Sequence, residues 1–190
     1  MILHQPTSRG LRFGIPSFSS LAPDHVAGRL AQQLDDGYHY LPRLRIGGQP
    51  LHAVIVGPGG TWTITPDHEA GRFRKRNGHW YRWNRSTESW VPWEAEPVLR
   101  ARLTGHRLEL HLDAAGVPSS VEPVLLVAPD VEIEWEPPER PGVHVIDEAT
   151  RLARRVSRDE VLTPAQVDRI VALLDPRQPM RRLAPSTPHG

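Results

Sequence analysis

The stretch LHAVIVGPGGTWTITPDHEAGRF, residues 51–73, decides the fold expected for this chain. Two apolar runs, LHAVIV and TWTIT, flank the turn sequence GPGG and are rich in residues that favour strands. Glycine and proline between such runs indicate a tight connection, so the pattern predicts a β-hairpin in the core of a sheet. The polar cluster TPDHEAG follows the second strand and raises the question of a functional site.

The composition excludes several classes of protein. A chain of 190 residues with 38% hydrophobic content suits one compact domain. It has no cysteine, which rules out a disulfide framework and a thiolate zinc site. No run approaches the roughly 18 apolar residues of a membrane span, so we expect a cytoplasmic protein with no membrane partner. The formal net charge is +1, so attraction to nucleic acid would need a local basic patch.

Upstream of the hairpin, the sequence predicts one helix and one strand. Val26, Leu30 and Leu34 repeat at four-residue spacing, which is typical of an amphipathic helix. The segment YHYLPRLRI, residues 38–46, then favours an extended strand. Residues 1–20 are rich in proline, serine and glycine, so we expect a flexible N-terminal arm there.

Downstream, the spacing of Leu99, Leu103 and Leu110 favours a helix that begins near Pro97. VEPVLLVAP, residues 121–129, is a near-continuous apolar run, as expected of a strand buried on both faces. Two further helices are predicted before a polar, proline-rich end of the chain.

These elements predict a single α/β domain with a mixed central β-sheet flanked by helices. We place this domain at residues 21–175, between the flexible arm and a flexible tail at residues 176–190.

The hairpin and the order of elements resemble the nuclease-related domain family, a branch of the PD-(D/E)XK restriction-endonuclease-like fold. LHAVIVGPGGTWTI is similar to that family's pattern of an apolar residue, Asp, His, an apolar triplet, Gly-Pro, Gly and an apolar strand. The segments DGYHYL and VEPVLLVA also resemble the family. The resemblance implies a restriction-endonuclease-like fold and, where the motif is intact, a metal-dependent nuclease centre.

The residues that the resemblance assigns to that centre are replaced in this chain. Metal-dependent phosphodiester hydrolysis needs carboxylate ligands, and a lysine stabilises the charge of the transition state. The family's Asp, Glu and Lys fall on His52, Thr65 and Asp67. The only lysine in the chain is Lys75, and Phe73 stands two residues before it, so no Glu-x-Lys motif exists in any register.

A further acidic position of the family corresponds to Asp24. One carboxylate does not hold a catalytic metal, so we expect a pseudonuclease that has no catalytic residues and no cofactor.

An alternative is a remodelled hydrolase site formed by His52, Asp67, His68 and Glu69. Imidazole with carboxylate favours Zn²⁺ or Mn²⁺ over Mg²⁺, and only this alternative would require Mg²⁺ or Mn²⁺ as a cofactor. The simpler interpretation of TPDHEAG is a solvated turn in which Asp and His serve turn chemistry.

The second candidate site is the segment GRFRKRNGHWYRW, in which Asn-Gly between two strand-like arms predicts a hairpin. The two-residue period of a strand places Arg72, Arg74 and Arg76 on one face. Arginine beside aromatic rings suits phosphate neutralisation with base stacking on single strands. We therefore predict these nucleic-acid-binding residues: Arg72, Arg74, Lys75, Arg76, Trp80, Arg82, Trp83 and Arg85.

Other roles fit the same segment. Tryptophan and arginine are enriched at the hot spots of protein interfaces, so another protein is an alternative partner. Tryptophans on one face of a hairpin also form cores, with arginines stacked over them through cation–π contacts. A third possibility is a structural assembly subunit that binds no ligand at all.

Overall fold

The computed structural model describes residues 1–4, 23–69, 71–135 and 142–175. Most of the predicted N-terminal arm (5–20) and the whole predicted tail (176–190) lie outside these ranges. Residues 2 and 3 of the predicted arm form a short strand instead, because they pair with the strand that follows the first helix.

The described residues form strands and helices that we number along the chain. In order, they are β1 (Ile2–Leu3), α1 (Pro23–Ala31), β2 (His39–Ile46), β3 (Gln49–Gly57), β4 (Gly60–Asp67), β5 (Arg72–Arg76), β6 (His79–Asn84), β7 (Ser89–Pro92), α2 (Pro97–Ala114), β8 (Val121–Val127), β9 (Glu132–Trp135), β10 (His144–Ile146), α3 (Ala149–Val156) and α4 (Pro164–Leu174).

These strands make two sheets within the described residues. The main sheet has six strands in the order β1-β2-β3-β4-β8-β10, and the small sheet has four in the order β7-β6-β5-β9. Both sheets contain parallel and antiparallel neighbours. The predicted α/β class is confirmed, but the central mixed sheet that we predicted is accompanied by a second mixed sheet.

The predicted hairpin lies at the centre of the main sheet. β3 and β4 pair antiparallel with Val54 opposite Thr63, and the ladder closes at Gly57 and Gly60. One face of the sheet packs against α1 and α3, and the other packs against α2 and α4. β8 lies parallel to β4 and is covered on both faces, which explains its near-continuous apolar sequence.

Helix α2 begins at Pro97, as its sequence predicts, but the leucines that indicate the helix do not form its buried face. Its buried residues are Pro97, Val98, Ala101, Gly105, Leu108 and Leu112. Small residues on this face let the helix approach the sheet closely, since a Cβ atom on Gly105 would lie 3.1 Å from Pro123. Leu99, Leu103 and Leu110 are therefore turned to solvent.

The small sheet is built on the predicted Asn77-Gly78 hairpin. Both turn residues have positive φ angles, 50° and 77°, as a tight two-residue turn of this kind requires. Phe73 and Trp80 lie on the face that packs against α2 and β8. The opposite face is turned to solvent and carries the predicted row of arginines.

The other predicted helices are present. Leu34 lies beyond the end of α1 but is still buried with Val26 and Leu30 in one cluster. α4 begins with a capping box, in which the Thr163 and Gln166 side chains each bond the other residue's backbone. None of the helices in the described ranges is long and apolar enough to cross a bilayer.

Candidate functional site

The three positions that the resemblance assigns to a nuclease centre come together on the main sheet. His52 lies on β3, and the register that pairs Ala53 with Ile64 continues to place His52 beside Thr65 of β4. Thr65 and Asp67 alternate to the same side of β4, which is the side covered by α2. The sequence therefore brings the replaced positions to one face, as the resemblance implies, but with different chemistry.

His52 is neutral at neutral pH. Burial, together with smaller contributions from the nearby His68 and Arg43, lowers the pKa of His52 to about 4. The Nε2 atom is buried and has no hydrogen-bond partner among the described residues. The same holds for the Thr65 hydroxyl, so these two positions offer one neutral imidazole and one hydroxyl where a metal centre needs carboxylates.

Asp67 occupies the position assigned to the family's lysine and is only 7% exposed. The Arg100 Nη2 atom of α2 lies 3.4 Å from its Oδ2 atom, and the backbone amide of Glu69 donates to its Oδ1 atom at 3.2 Å. A groove of about 540 Å³ opens beside this pair, lined by Pro66, Asp67, His68, Glu69, Ala95, Glu96 and Arg100. A carboxylate neutralised by arginine thus stands where the family's motif has a cation.

The alternative metal site is not assembled in the described parts of the chain. Within those parts, no group of three or more His, Asp or Glu side chains is arranged to hold a metal ion. Asp67 faces Arg100, and Glu69 contacts Arg82 at 3.4 Å. Asp24 lies in α1, but its side chain is outside what the structure describes.

The solvent face of the small sheet holds the second candidate site, which we call the arginine–tryptophan face. Its residues come from all four strands in the order β7, β6, β5 and β9: Trp90, Tyr81, Trp83, Arg72, Arg74, Arg76, Glu132 and Glu134. Aromatic rings thus lie at one edge of this face, arginines in the middle, and two glutamates at the other edge. The arginine row predicted from the two-residue period is present.

Two of the three arginines in the row already have carboxylate partners. The Arg72 Nε atom lies 2.8 Å from Glu132, and its Nη2 atom lies 3.2 Å from Glu134. Arg74 donates from Nε to Glu134 at 2.8 Å and makes a second contact through Nη2. The guanidinium of Arg74 also stacks 4.3 Å from the Trp90 ring centroid. Much of the positive charge that would attract phosphate is therefore compensated within the face.

The other predicted nucleic-acid-binding residues differ in their surroundings. Trp80 is only 4% exposed and belongs to the core, so its prediction as a base-stacking residue is wrong. Lys75 and Arg82 alternate to the same side of the sheet as Trp80, where Arg82 lies 6.0 Å from the ring of Phe73. Adjacent residues of a strand point to opposite faces, so Lys75 and Arg82 lie on the face opposite the arginine row.

A groove of about 590 Å³ lies at one end of the small sheet and collects three of the predicted arginines. It is lined by Gly71, Arg72, Arg82, Trp83, Asn84, Arg85, Val91 and Asp130. Arg85 is exposed and has no ion-pair partner among the described residues, as is also true of Arg76 in the row. This groove combines cationic side chains with one aromatic ring, and Asp130 is the acidic residue of its lining.

The structure also contains a buried chain of polar side chains that sequence reasoning missed. His4 bonds Asp175 through Nδ1 at 2.9 Å and His39 through Nε2 at 3.0 Å, and all three residues are buried. Burial lowers the pKa of His39, and the neighbouring His4 lowers it further. These residues join β1, β2 and the end of α4, and no spacing in the sequence connects them.

Comparisons with family models, with curated proteins and with solved structures find no match for this chain. The resemblance to the nuclease-related domain therefore stays a prediction that depends on the quoted segments and on the positions of His52, Thr65 and Asp67.

Proposed function

We propose that this chain is a pseudonuclease of restriction-endonuclease-like type, which has lost its metal-dependent centre and binds a partner through the arginine–tryptophan face. The observation that carries the proposal is the arrangement of Arg72 and Arg74 in that face. Ion pairs and stacking hold both guanidinium groups in place beside the partly exposed rings of Trp83 and Trp90. Rigid arginine and tryptophan side chains are the residues that dominate binding energy in interfaces.

The loss of catalysis is supported by the former centre itself. His52 supplies a neutral imidazole, Thr65 a hydroxyl, and Asp67 a carboxylate already paired with Arg100. Mg²⁺ requires several hard oxygen ligands. The Asp67 carboxylate, the one carboxylate of these three positions, is already neutralised by Arg100.

Another protein is the favoured partner. A polyanion would have to compete with Glu132 and Glu134 for the arginines, whereas a protein surface can match both signs of charge at once. The mixture of aromatic rings, arginine and a polar edge is typical of a protein interface.

A single-stranded nucleic acid is the second candidate partner, and the groove lined by Arg72, Arg82, Arg85 and Trp83 supports it. Arginines that contact phosphates beside a ring that stacks on a base are the usual elements of such sites.

Capture of partners from an extract tests the first candidate. The baits are the wild-type chain, the double variant Trp83→Ala/Trp90→Ala and a control variant. The control is Thr87→Ala, because Thr87 lies in the exposed turn between β6 and β7, beside the face. A protein held by the wild type and the control, but lost by the double variant, is then purified and titrated. We expect the double variant to weaken its binding at least tenfold. Equal affinity of all three chains would exclude the arginine–tryptophan face.

Titration with labelled single- and double-stranded DNA and RNA separates the two candidates and tests catalysis. The second candidate would be favoured if the wild type binds nucleic acid in EDTA and its affinity falls as salt is raised. The same binding should be lost in Arg82→Ala/Arg85→Ala. Metal-dependent cleavage that is absent from His52→Ala would overturn the pseudonuclease proposal and restore the remodelled hydrolase.

A further inference from the structure

The outward face of α2 carries three leucines that neither candidate site uses. Leu99, Leu103 and Leu110 are 42, 50 and 55% exposed. Their spacing of four and seven residues puts them in one line, opposite the buried residues Ala101 and Leu108. A single exposed leucine is ordinary, but three in a row on one helix are typical of a contact surface. We call this line the leucine stripe.

The charges beside the leucine stripe indicate which partner fits it. In heptad notation, Leu103 and Leu110 take position a, and Leu99 takes position d. Arg102 and Glu109 then occupy successive g positions along one edge of the stripe. In an antiparallel pair of identical helices, the g positions of the two copies face each other, so Arg102 of each copy lies beside Glu109 of the other. Two-fold symmetry forms this ion pair twice.

The same register brings the leucines together. Leu99 of one copy lies against Leu110 of the second copy, and each Leu103 lies against His106 of the second copy, next to the symmetry axis. A parallel pair would instead place Arg102 opposite Arg107 of the other helix, which brings like charges together. The charge pattern therefore favours the antiparallel arrangement.

We infer that this chain forms a two-fold symmetric dimer through antiparallel packing of the leucine stripes of two α2 helices. The antiparallel register also places Arg100 on the same edge as Arg107 of the second copy. The structure limits this repulsion, because the Arg100 Nη2 atom is 3.4 Å from Asp67 and its charge is compensated within its own chain. The second copy buries apolar side chains that each chain alone leaves in water.

Sedimentation velocity over roughly 1–100 µM tests the dimer, because the ratio of dimer to monomer rises with protein concentration. We expect the wild type to dimerise and Leu103→Glu to have its dissociation constant raised at least about 100-fold. Val161→Glu is the matched control, since Val161 is 64% exposed and lies outside the stripe; it should dimerise like the wild type. A wild type that stays monomeric throughout, or Leu103→Glu that dimerises equally well, would overturn the inference.

A charge exchange tests the register without changing the leucines. Arg102→Glu places two glutamates beside each other in the proposed dimer, so the dissociation constant should rise about tenfold. Adding Glu109→Arg to that variant restores opposite charges and should restore wild-type affinity. A double variant no tighter than the single one would overturn the antiparallel register.

Cysteine cross-linking tests the orientation directly, because the chain has no cysteine of its own. An equimolar mixture of Leu99→Cys and Leu110→Cys chains should form a disulfide-linked heterodimer, since these positions share a layer. Either variant alone should cross-link much less. Efficient cross-linking of Leu110→Cys with itself would indicate parallel helices and contradict the inference.

Discussion

The two hairpins at the centres of the two sheets end in turns of opposite character. Pro58-Gly59 joins β3 and β4 inside the fold, where the Pro58 carbonyl accepts hydrogen bonds from the backbone amides of Val161 and Leu162. Asn77-Gly78 joins β5 and β6 in solvent, and a Cβ atom on Gly78 would meet nothing within 4 Å. Both turns give the same signal in the sequence, so glycine between strand-like arms does not distinguish a core hairpin from a surface hairpin.

The two hairpins also differ in whether their polar side chains have partners. In the buried hairpin, Thr65 and His52 hold polar atoms without hydrogen-bond partners in the described part of the chain. In the exposed hairpin, Arg72 and Arg74 hold their partners on the neighbouring strand. The unpaired polar atoms lie on the main sheet and the paired charges on the small sheet, so the two candidate sites occupy separate sheets.

The largest loss of stability is expected from substitution of Gly59, the glycine of the buried turn. A Cβ atom on Gly59 would lie 1.6 Å from the Val156 carbonyl oxygen, so Gly59→Ala must displace backbone. We expect Gly59→Ala to lower the free energy of unfolding by about 3 kcal/mol or more. Gly78 has a φ angle of 77° but open space around it, so Gly78→Ala should cost only about 1 kcal/mol.

Urea unfolding followed by tryptophan fluorescence measures both glycine variants under the same conditions. Equal losses for Gly59→Ala and Gly78→Ala would show that the Pro58-Gly59 turn is not packed against α3, and the contrast between the hairpins would fail.

The next effect is a pH dependence that arises in the buried hairpin. The pKa of His52 is about 4 in the fold and 6.5 as the ordinary value. Between these values the unfolded chain binds more protons, so the stability that His52 contributes is complete above pH 6.5 and is lost as pH falls through 4. The loss amounts to at most about 3 kcal/mol. We expect His52→Gln to flatten this dependence in unfolding curves recorded at a series of pH values.

Thr65→Val is the control for the pH dependence, because it removes a neighbouring polar atom without removing a titratable group. It should shift the curve of stability against pH by a constant amount and leave its shape intact. His39, whose pKa is also lowered by burial, adds to the acid loss in every variant. A His52→Gln chain that is as acid-sensitive as the wild type would assign the whole effect to His39 or to other groups.

Much of the fold follows from local patterns in the sequence. The arms and turns of both hairpins, the start of α2 at Pro97 and the buried strand β8 each depend on residues close together in the chain. Turn chemistry and side-chain period act over a few residues, so a sequence displays them directly. The arginine row was predictable for the same reason, because alternation along β5 depends on that strand alone.

The rest depends on contacts between distant residues, which no local period displays. Glu134 reaches Arg74 only because β9 pairs in parallel with β5 across 60 positions. The burial of Trp80 depends on which face of the hairpin meets α2. The buried face of α2 was not predicted, because Gly105 lets this face pack closely on the sheet. Small residues such as glycine do not contribute to an apolar periodicity.

The smallest effect concerns the acidic edge of the arginine–tryptophan face. Glu132 and Glu134 neutralise Arg72 and Arg74 in the wild type. Glu132→Gln/Glu134→Gln keeps the shape of both side chains and removes both charges, so the arginines become available to phosphate. We expect the double variant to bind a labelled single-stranded oligonucleotide about tenfold more tightly than the wild type at low salt, and this gain should vanish as salt is raised.

Glu88→Gln is the control for that measurement, because it removes one carboxylate from the exposed turn between β6 and β7 and leaves the acidic edge intact. Its affinity for the oligonucleotide should stay close to that of the wild type, since a charge outside the face changes only the weakly screened field of the molecule. If the wild type already binds as tightly as Glu132→Gln/Glu134→Gln, the glutamates do not compete with phosphate. The exposed hairpin would then act as a nucleic-acid surface, and the preference for a protein partner would have to be abandoned.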